Sequence, residues 1–125
     1  MQKIDPKKLS LQERVAKLND MILHGYILEA FEKFYADDII RQENNKAAIV
    51  GKNACRLQEE KLVTGITEVR TARLKNVIIT DKISVVEWEF DYTHEEWGNC
   101  KYSHFAAQQW NCDGQIVNEI IYNNN

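Results

Sequence analysis

From Glu68 onward the apolar residues of this chain recur at every second position, whereas before it they recur at helical spacing. Successive side chains of a strand point to opposite faces, so a period of two held through the whole second half commits that half to sheet. The first half must then supply the layer that covers one face. The alternation breaks at Thr80-Asp81-Lys82 and at residues 96–99, and an Asp113-Gly114 pair follows. The second half therefore reads as three long strands and a fourth after a hairpin turn, joined as an antiparallel meander.

In the first half, Ser10 and Glu13 have the spacing of a capping box. Leu11, Val15, Leu18 and Ile22 then mark one helical face, and Gly25 is placed to end that helix. A second helix carries Ile27, Phe31 and Phe34 on one side and closes near Ala36. A short strand at 39–43, a polar loop at 44–48 and a third helix at 53–63, between Gly51 and Gly65, complete the half. Helices first and strands after predict an α+β domain with its helices on one face of a sheet. No linker or repeat divides the chain, so residues 1–125 read as a single domain with an N-terminal arm at 1–8 and a tail at 123–125.

The first two long strands suggest their own register. A three-residue turn at Thr80-Asp81-Lys82 pairs Ile79 with Ile83, Lys75 with Glu87, Arg73 with Glu89, Leu74 with Trp88 and Ala72 with Phe90. One face is then complementary charge and the other apolar; a one-residue slip loses both.

Net charge is −3 with both signs interspersed, which leaves no basic face for nucleic acid. No stretch approaches the roughly 18 apolar residues of a membrane span, and the start MQKIDPKKLS lacks the apolar run of a signal peptide. Cys55, Cys100 and Cys112 form no Cys-x-x-Cys pair and read as reduced thiols of a cytoplasmic protein. His24, beside Gly25, is placed to cap a helix dipole, and His94, near a turn, is expected to be solvent-exposed.

This layout resembles the SnoaL-like branch of the nuclear transport factor 2-like superfamily, which also holds the ketosteroid isomerases. The resemblance spans about residues 9–122. It rests on Phe34-Tyr35-Ala36-Asp37-Asp38 at the close of the second helix, on Gly51 opening the third, on Asp113-Gly114-Gln115-Ile116, and on the Ile120-Ile121-Tyr122 ending. It implies three N-terminal helices packed in the concave face of a curved, mostly antiparallel sheet, an α+β cone with one internal pocket. It also implies a homodimer and a cofactor-free chemistry. The position of the isomerases' general-base aspartate is held here by Glu43. Their oxyanion tyrosine would fall on Leu18 or Asn19 and their oxyanion aspartate on Ala106, so both donors are missing and steroid isomerisation is disfavoured.

A two-residue Asp113-Gly114 turn pairs Gln108 with Glu119, Ala106 with Ile121 and His104 with Asn123 on one face. The isomerase spacing turns that face toward the pocket. The opposite face, with Phe105, Ala107, Ile120 and Tyr122, is more apolar and on composition has the better claim to the core. His104 shares a face with Trp88 if the turn at 96–99 holds an odd number of residues. The resemblance thus nominates Glu43, His104 and Glu119 as acid–base residues. Tyr35, Trp88, Phe90, Tyr92, Gln108 and Trp110 would line the pocket, with Trp88, Phe90 and Trp110 walling a poorly solvated Glu43. Each acid–base residue has a plainer alternative: Glu43 as a solvated strand end, His104 as a structural histidine, Glu119 as an outward-facing charge. Glu43, His104 and Glu119 contain no ligand pair at local spacing, so no metal is expected. The expected activity is isomerisation, cyclisation or hydration of a hydrophobic small molecule with Glu43 as base. The alternative is a ligand-binding or protein-interaction module without turnover.

Overall fold

Ser10 opens the first helix as its spacing predicts. In the computed structural model, which describes residues 9–123, the Ser10 hydroxyl accepts from the Glu13 amide and the Glu13 carboxylate from the Ser10 amide, both at 3.1 Å. The expected arm at 1–8 and the last two residues of the expected tail lie outside the described residues. Helix α1, Leu11–Leu23, ends where Gly25 turns to φ +84°. The Gly25 and Tyr26 amides then reach back to the Ile22 and Met21 carbonyls at 3.1 and 2.8 Å, a closure that favours a residue without Cβ. His24 is the capping residue, its Nδ1 lying 2.8 Å from the Asp20 carbonyl. Helix α2, Ile27–Phe34, stops earlier than expected because Tyr35 already extends into β1, Tyr35–Glu43. A short β2, Ile49–Val50, follows the polar loop and pairs back on β1. Next come α3, Lys52–Gly65, and the meander β3 (Ile66–Thr80), β4 (Ile83–His94), β5 (Gly98–Trp110) and β6 (Ile116–Asn123).

The six strands form one curved sheet in the order β2-β1-β6-β5-β4-β3. All neighbours are antiparallel except β1 and β6, which run parallel and seat the first half of the chain on the last strand. Pairing of β3 with β4 shifts register three times; each such bulge bends the strand and strengthens its twist. One of these shifts resolves a misreading. The β3–β4 turn is only Asp81-Lys82, so Thr80 pairs with Ile83 and Ile79 with Ser84 instead of Ile83. The shift between Leu74 and Asn76 then restores Leu74 opposite Trp88, Arg73 opposite Glu89 and Ala72 opposite Phe90. Lys75 is displaced from the ladder and Asn76 faces Glu87, yet the Lys75 ammonium still reaches Glu87 at 3.8 Å. Keeping Trp88 and Leu74 on the inner face takes precedence over one ladder position.

The last hairpin likewise differs only at its tip. The Asn111 amide donates to the Gln115 carbonyl, and the pairing shifts between Gln109 and Trp110, so the turn is wider than Asp113-Gly114 alone. Beyond it, Gln108 faces Glu119, Ala106 faces Ile121 and His104 faces Asn123 as expected. The β4–β5 turn at 95–97 is odd, and Trp88 stands opposite His104.

Val15 and Leu18 of α1, Phe31 and Phe34 of α2, Ile39 of β1, Trp110 of β5 and Ile116 of β6 form the core. Gln108 and Glu119 are buried while Phe105 and Tyr122 are 45% and 51% exposed. The polar face of the last hairpin therefore points inward and the apolar face outward. His94, expected at the surface, is buried at 2% exposure. Its Nδ1 accepts from the Glu96 and Trp97 amides, leaving Nε2–H to donate to the Lys61 carbonyl.

Candidate functional site

On β1 the inward positions run Ile39, Arg41, Glu43, so the alternation that buries an isoleucine also carries a guanidinium into the domain. Arg41 lies beside Glu119 in the parallel register. Its Nε and Nη2 donate to Glu119 Oε1 at 2.8 Å, and Nη1 donates to Glu59 of α3. Glu119 Oε2 accepts from the Tyr35 hydroxyl at 2.5 Å and from Gln108 Nε2 at 2.8 Å. Gln108 Oε1 accepts from Ser84, whose Oγ accepts from the Trp110 indole. The Arg41 guanidinium also lies over the Tyr35 and Phe31 rings, 5.3 and 5.6 Å from their centroids. Every member of this ladder has a partner, the condition under which buried polar groups are tolerated.

The ladder fixes charge states. Burial pushes the Glu119 carboxyl up, but Arg41, Tyr35 and Gln108 together outweigh it and hold the group below the ordinary carboxylate range. Burial pulls the Arg41 guanidinium down, and the Glu119 and Glu59 carboxylates more than reverse that. Burial, then the Glu119 charge, pushes the Tyr35 hydroxyl well up. Glu119 is thus an ionised strut whose oxygens are already occupied.

Beyond the ladder a cleft of about 790 Å³ opens between α3 and the far ends of β1, β4, β5 and β6. Glu43, His104, Asn123, Tyr92, Tyr102 and Trp97 line it, and Arg41 and Glu59 reach it from the ladder. Glu43 is placed by the end of its strand. Asn44 takes φ 48°, a conformation asparagine tolerates; its amide donates to the Ile121 carbonyl and its side chain accepts from the Asn123 amide. That tie brings the Asn123 side-chain nitrogen onto Glu43 Oε2, while Lys46 Nζ lies 3.2 Å from Oε1. Asn123 belongs to β6 and to this site, not to a tail.

Opposite Asn123 stands His104, with its ring 5.4 Å from Phe90 and 5.8 Å from Tyr102. Burial lowers its pKa, and the Glu119 and Glu43 charges do not recover it, so the imidazole is neutral at neutral pH. Asn123 Oδ1, on the amide that bonds Glu43, is buried beside the His104 ring and has no other hydrogen-bond partner among the described residues. The Tyr92 and Tyr102 hydroxyls lie 3.0 Å apart. The site can therefore present a carboxylate, a neutral imidazole and phenolic donors to one bound molecule.

Of the nominated residues, Glu43, His104 and Tyr92 line the cleft. Trp88 and Phe90 stack on each other at 5.3 Å, and Trp110 meets Phe34 edge-on in the helical core. None of the three walls Glu43, whose side chain is 32% exposed and faces an ammonium and an amide instead. Tyr35, Gln108 and Glu119 belong to the ladder. Ile40, next to buried Ile39, points outward at 40% exposure. Among the described residues no cluster of His, Cys, Asp or Glu could hold a metal ion. The sequence reading missed Arg41, Glu59 and Tyr102, and it set Asn123 on the pocket face without nominating it. Arg41 and Tyr102 carried a usable signal, each being two residues from an inward position on its own strand; Glu59 on its helix carried none.

Three helices on a curved, six-stranded mixed sheet, with a large cleft at one end, define an α+β cone fold. Among solved structures, the chain is similar to a proposed SnoaL-like polyketide cyclase from Mesorhizobium loti, with TM-score 0.80, 20% identity, and 91% of this chain and 99% of that one covered. A proposed SnoaL-like polyketide cyclase from Jannaschia sp. CCS1 gives TM-score 0.74 at 13% identity, covering 99% and 92% of the two chains. A proposed isomerase from Rhodopseudomonas palustris gives 0.72 at 11% identity, covering 94% and 91%. No protein-family model and no curated protein matches the sequence. The chain has the SnoaL-like, NTF2-like fold that its short motifs imply.

Proposed function

We propose that this protein binds a small amphipathic molecule in the cleft and moves a proton on it, with Glu43 as base and His104 as its partner. The observation that carries this reading is Asn123, which bonds the Glu43 carboxylate and stands opposite His104 in the ladder. A base must be held within reach of its substrate, and a neutral imidazole can accept or return a proton at neutral pH. A cleft of about 790 Å³ suits a drug-sized molecule. Its mixed lining favours a ligand with polar groups over the purely hydrophobic one expected from sequence. Isomerisation, cyclisation and hydration all fit this chemistry, and similar folds described as cyclases and an isomerase support it. Leu18, Asn19 and Ala106 are all buried and none supplies the phenol or carboxylic acid of an isomerase oxyanion hole, which weighs against a ketosteroid substrate.

A binding domain without turnover is the second reading. Lys46 favours it, because its ammonium, 3.2 Å from Glu43 Oε1, already occupies one of the two carboxylate oxygens. The outer sheet face, with Phe105, Tyr122, Ile78 and Ile40 exposed, supports a homodimer. Three free cysteines suit a reducing, cytoplasmic setting, and no helix among the described residues is long and apolar enough to cross a membrane. The test is proton NMR of hydrogen–deuterium exchange in a panel of cyclic β-diketones and β-keto esters. The wild type should accelerate exchange at the acidic carbon, and Glu43→Gln should abolish this while ligand-induced shifts persist. Compounds that bind without exchange faster than in free acetate would leave the binding reading standing.

A further inference from the structure

Tyr92 and Tyr102 come from adjacent strands, and their rings meet edge-on at 5.9 Å and 82°. Both line the cleft, and their hydroxyls form a hydrogen bond of 3.0 Å. Two hydroxyls carry two protons, and that bond uses one. The other has no oxygen or nitrogen acceptor among the described residues. Its protein neighbour is the Cys100 thiol beside Tyr92, a weak acceptor whose own proton points to the Gly98 carbonyl at 3.6 Å. Largely buried hydroxyls normally find a good acceptor, so this proton is the under-used donor of the cleft. Burial pushes both phenols up, Tyr102 most strongly, so neither loses its proton at ordinary pH.

We infer that the Tyr92–Tyr102 hydroxyl pair is a specificity site that receives a phenolate or carbonyl oxygen borne on a flat ring of the ligand. The second hydroxyl backs the donating one and polarises its O–H bond, which strengthens the bond to the ligand. The flat ring follows from the aromatic surfaces beside the pair: His104 stacks on Tyr102 at 5.8 Å, and Trp97 lines the same cleft. The inference rests on the proposed function only in taking the cleft to be a ligand site; no turnover is required.

The probe is 4-nitrophenolate, with 4-nitroanisole as a control that keeps the ring and nitro group but replaces the anionic oxygen by a methyl ether. Dissociation constants from isothermal titration should favour the phenolate by tenfold or more, on the order expected for a charge-assisted hydrogen bond. Tyr92→Phe or Tyr102→Phe alone should cost the phenolate roughly two- to threefold, because the remaining hydroxyl still donates without its polarising neighbour. The double change should erase the preference and leave ether binding in place. Both substitutions are nearly isosteric, and thermal melts check folding; if the double variant does not fold, the single variants decide. Wild-type protein that binds neither probe, or both alike, overturns the inference, as does a preference that survives both substitutions. Preference is read without chemistry, so a protein that exchanges no protons but prefers the phenolate refutes catalysis and retains this site.

Discussion

Replacing Glu119 with glutamine keeps the side chain's shape and removes its charge from a place where four donors converge. Arg41 Nε and Nη2 use one oxygen, and Tyr35 and Gln108 use the other. A glutamine oxygen can serve one of these pairs, but its NH₂ then faces donors on the other side. If the amide oxygen stays with Arg41, Tyr35 can turn and accept, whereas Gln108 must flip and disturb its bond with Ser84. The larger loss is electrostatic. Removing one partner of a buried ion pair costs about 3–5 kcal/mol. Arg41 retains Glu59, which places the expected cost near the low end, about 3 kcal/mol. For a chain of this length each kcal/mol moves the melting temperature by roughly 4 °C, so Glu119→Gln should melt about 12 °C lower near neutral pH. The pH dependence has a definite sign. The folded-state pKa of Glu119 lies below its unfolded value, so its contribution is full above the unfolded pKa and is lost as pH falls through the folded one. The gap between wild type and variant should therefore close in acid, below the ordinary carboxylate range. Differential scanning calorimetry across pH measures both features. Melts within about 2 °C of each other at neutral pH, or a gap that widens on acidification, would refute the reasoning. Arg73→Ala, which breaks an exposed pair with Glu89 at 3.5 Å, should cost under about 1 kcal/mol and serves as the comparison.

Gly65→Ala should destabilise by about 1–3 kcal/mol, because a Cβ there would overlap the His94 imidazole. That ring cannot retreat without losing its bonds to Lys61, Glu96 and Trp97; an unchanged urea midpoint would show that the turn yields more easily than its bonding implies. Light scattering at micromolar concentration should give the mass of a dimer, and Phe105→Asp on the exposed outer face should give a monomer that melts as a folded protein. A wild-type monomer would leave that apolar face without its expected partner.

What the sequence determines here is everything settled between near neighbours along the chain. The capping box at Ser10, the Gly25 stop and the switch to period two at Glu68 follow from spacing alone, because helix and strand repeat at different intervals. The register of Arg73, Leu74 and Ala72 against Glu89, Trp88 and Phe90 was legible too, since only one alignment satisfies charge on one face and apolar surface on the other. Turn lengths were not, and the bulge at Lys75 was hidden because it cancels the shorter turn. The inward face of the last hairpin was beyond composition, which favours Phe105 and Tyr122. Only the tertiary structure brings Tyr35 and Arg41, which lie 84 and 78 positions from Glu119, into the ladder that makes a buried carboxylate tolerable. The same holds for the cleft. Glu43 and His104 could be nominated from sequence, but Trp88 and Phe90 stack on each other and Trp110 joins the helical core, away from its walls. Asn123, Tyr102 and Glu59 meet there from three separate elements. A polar side chain acquires its environment from partners distant in sequence, whereas an apolar repeat declares its face locally; that is why fold was readable from the chain and the site was read only in part.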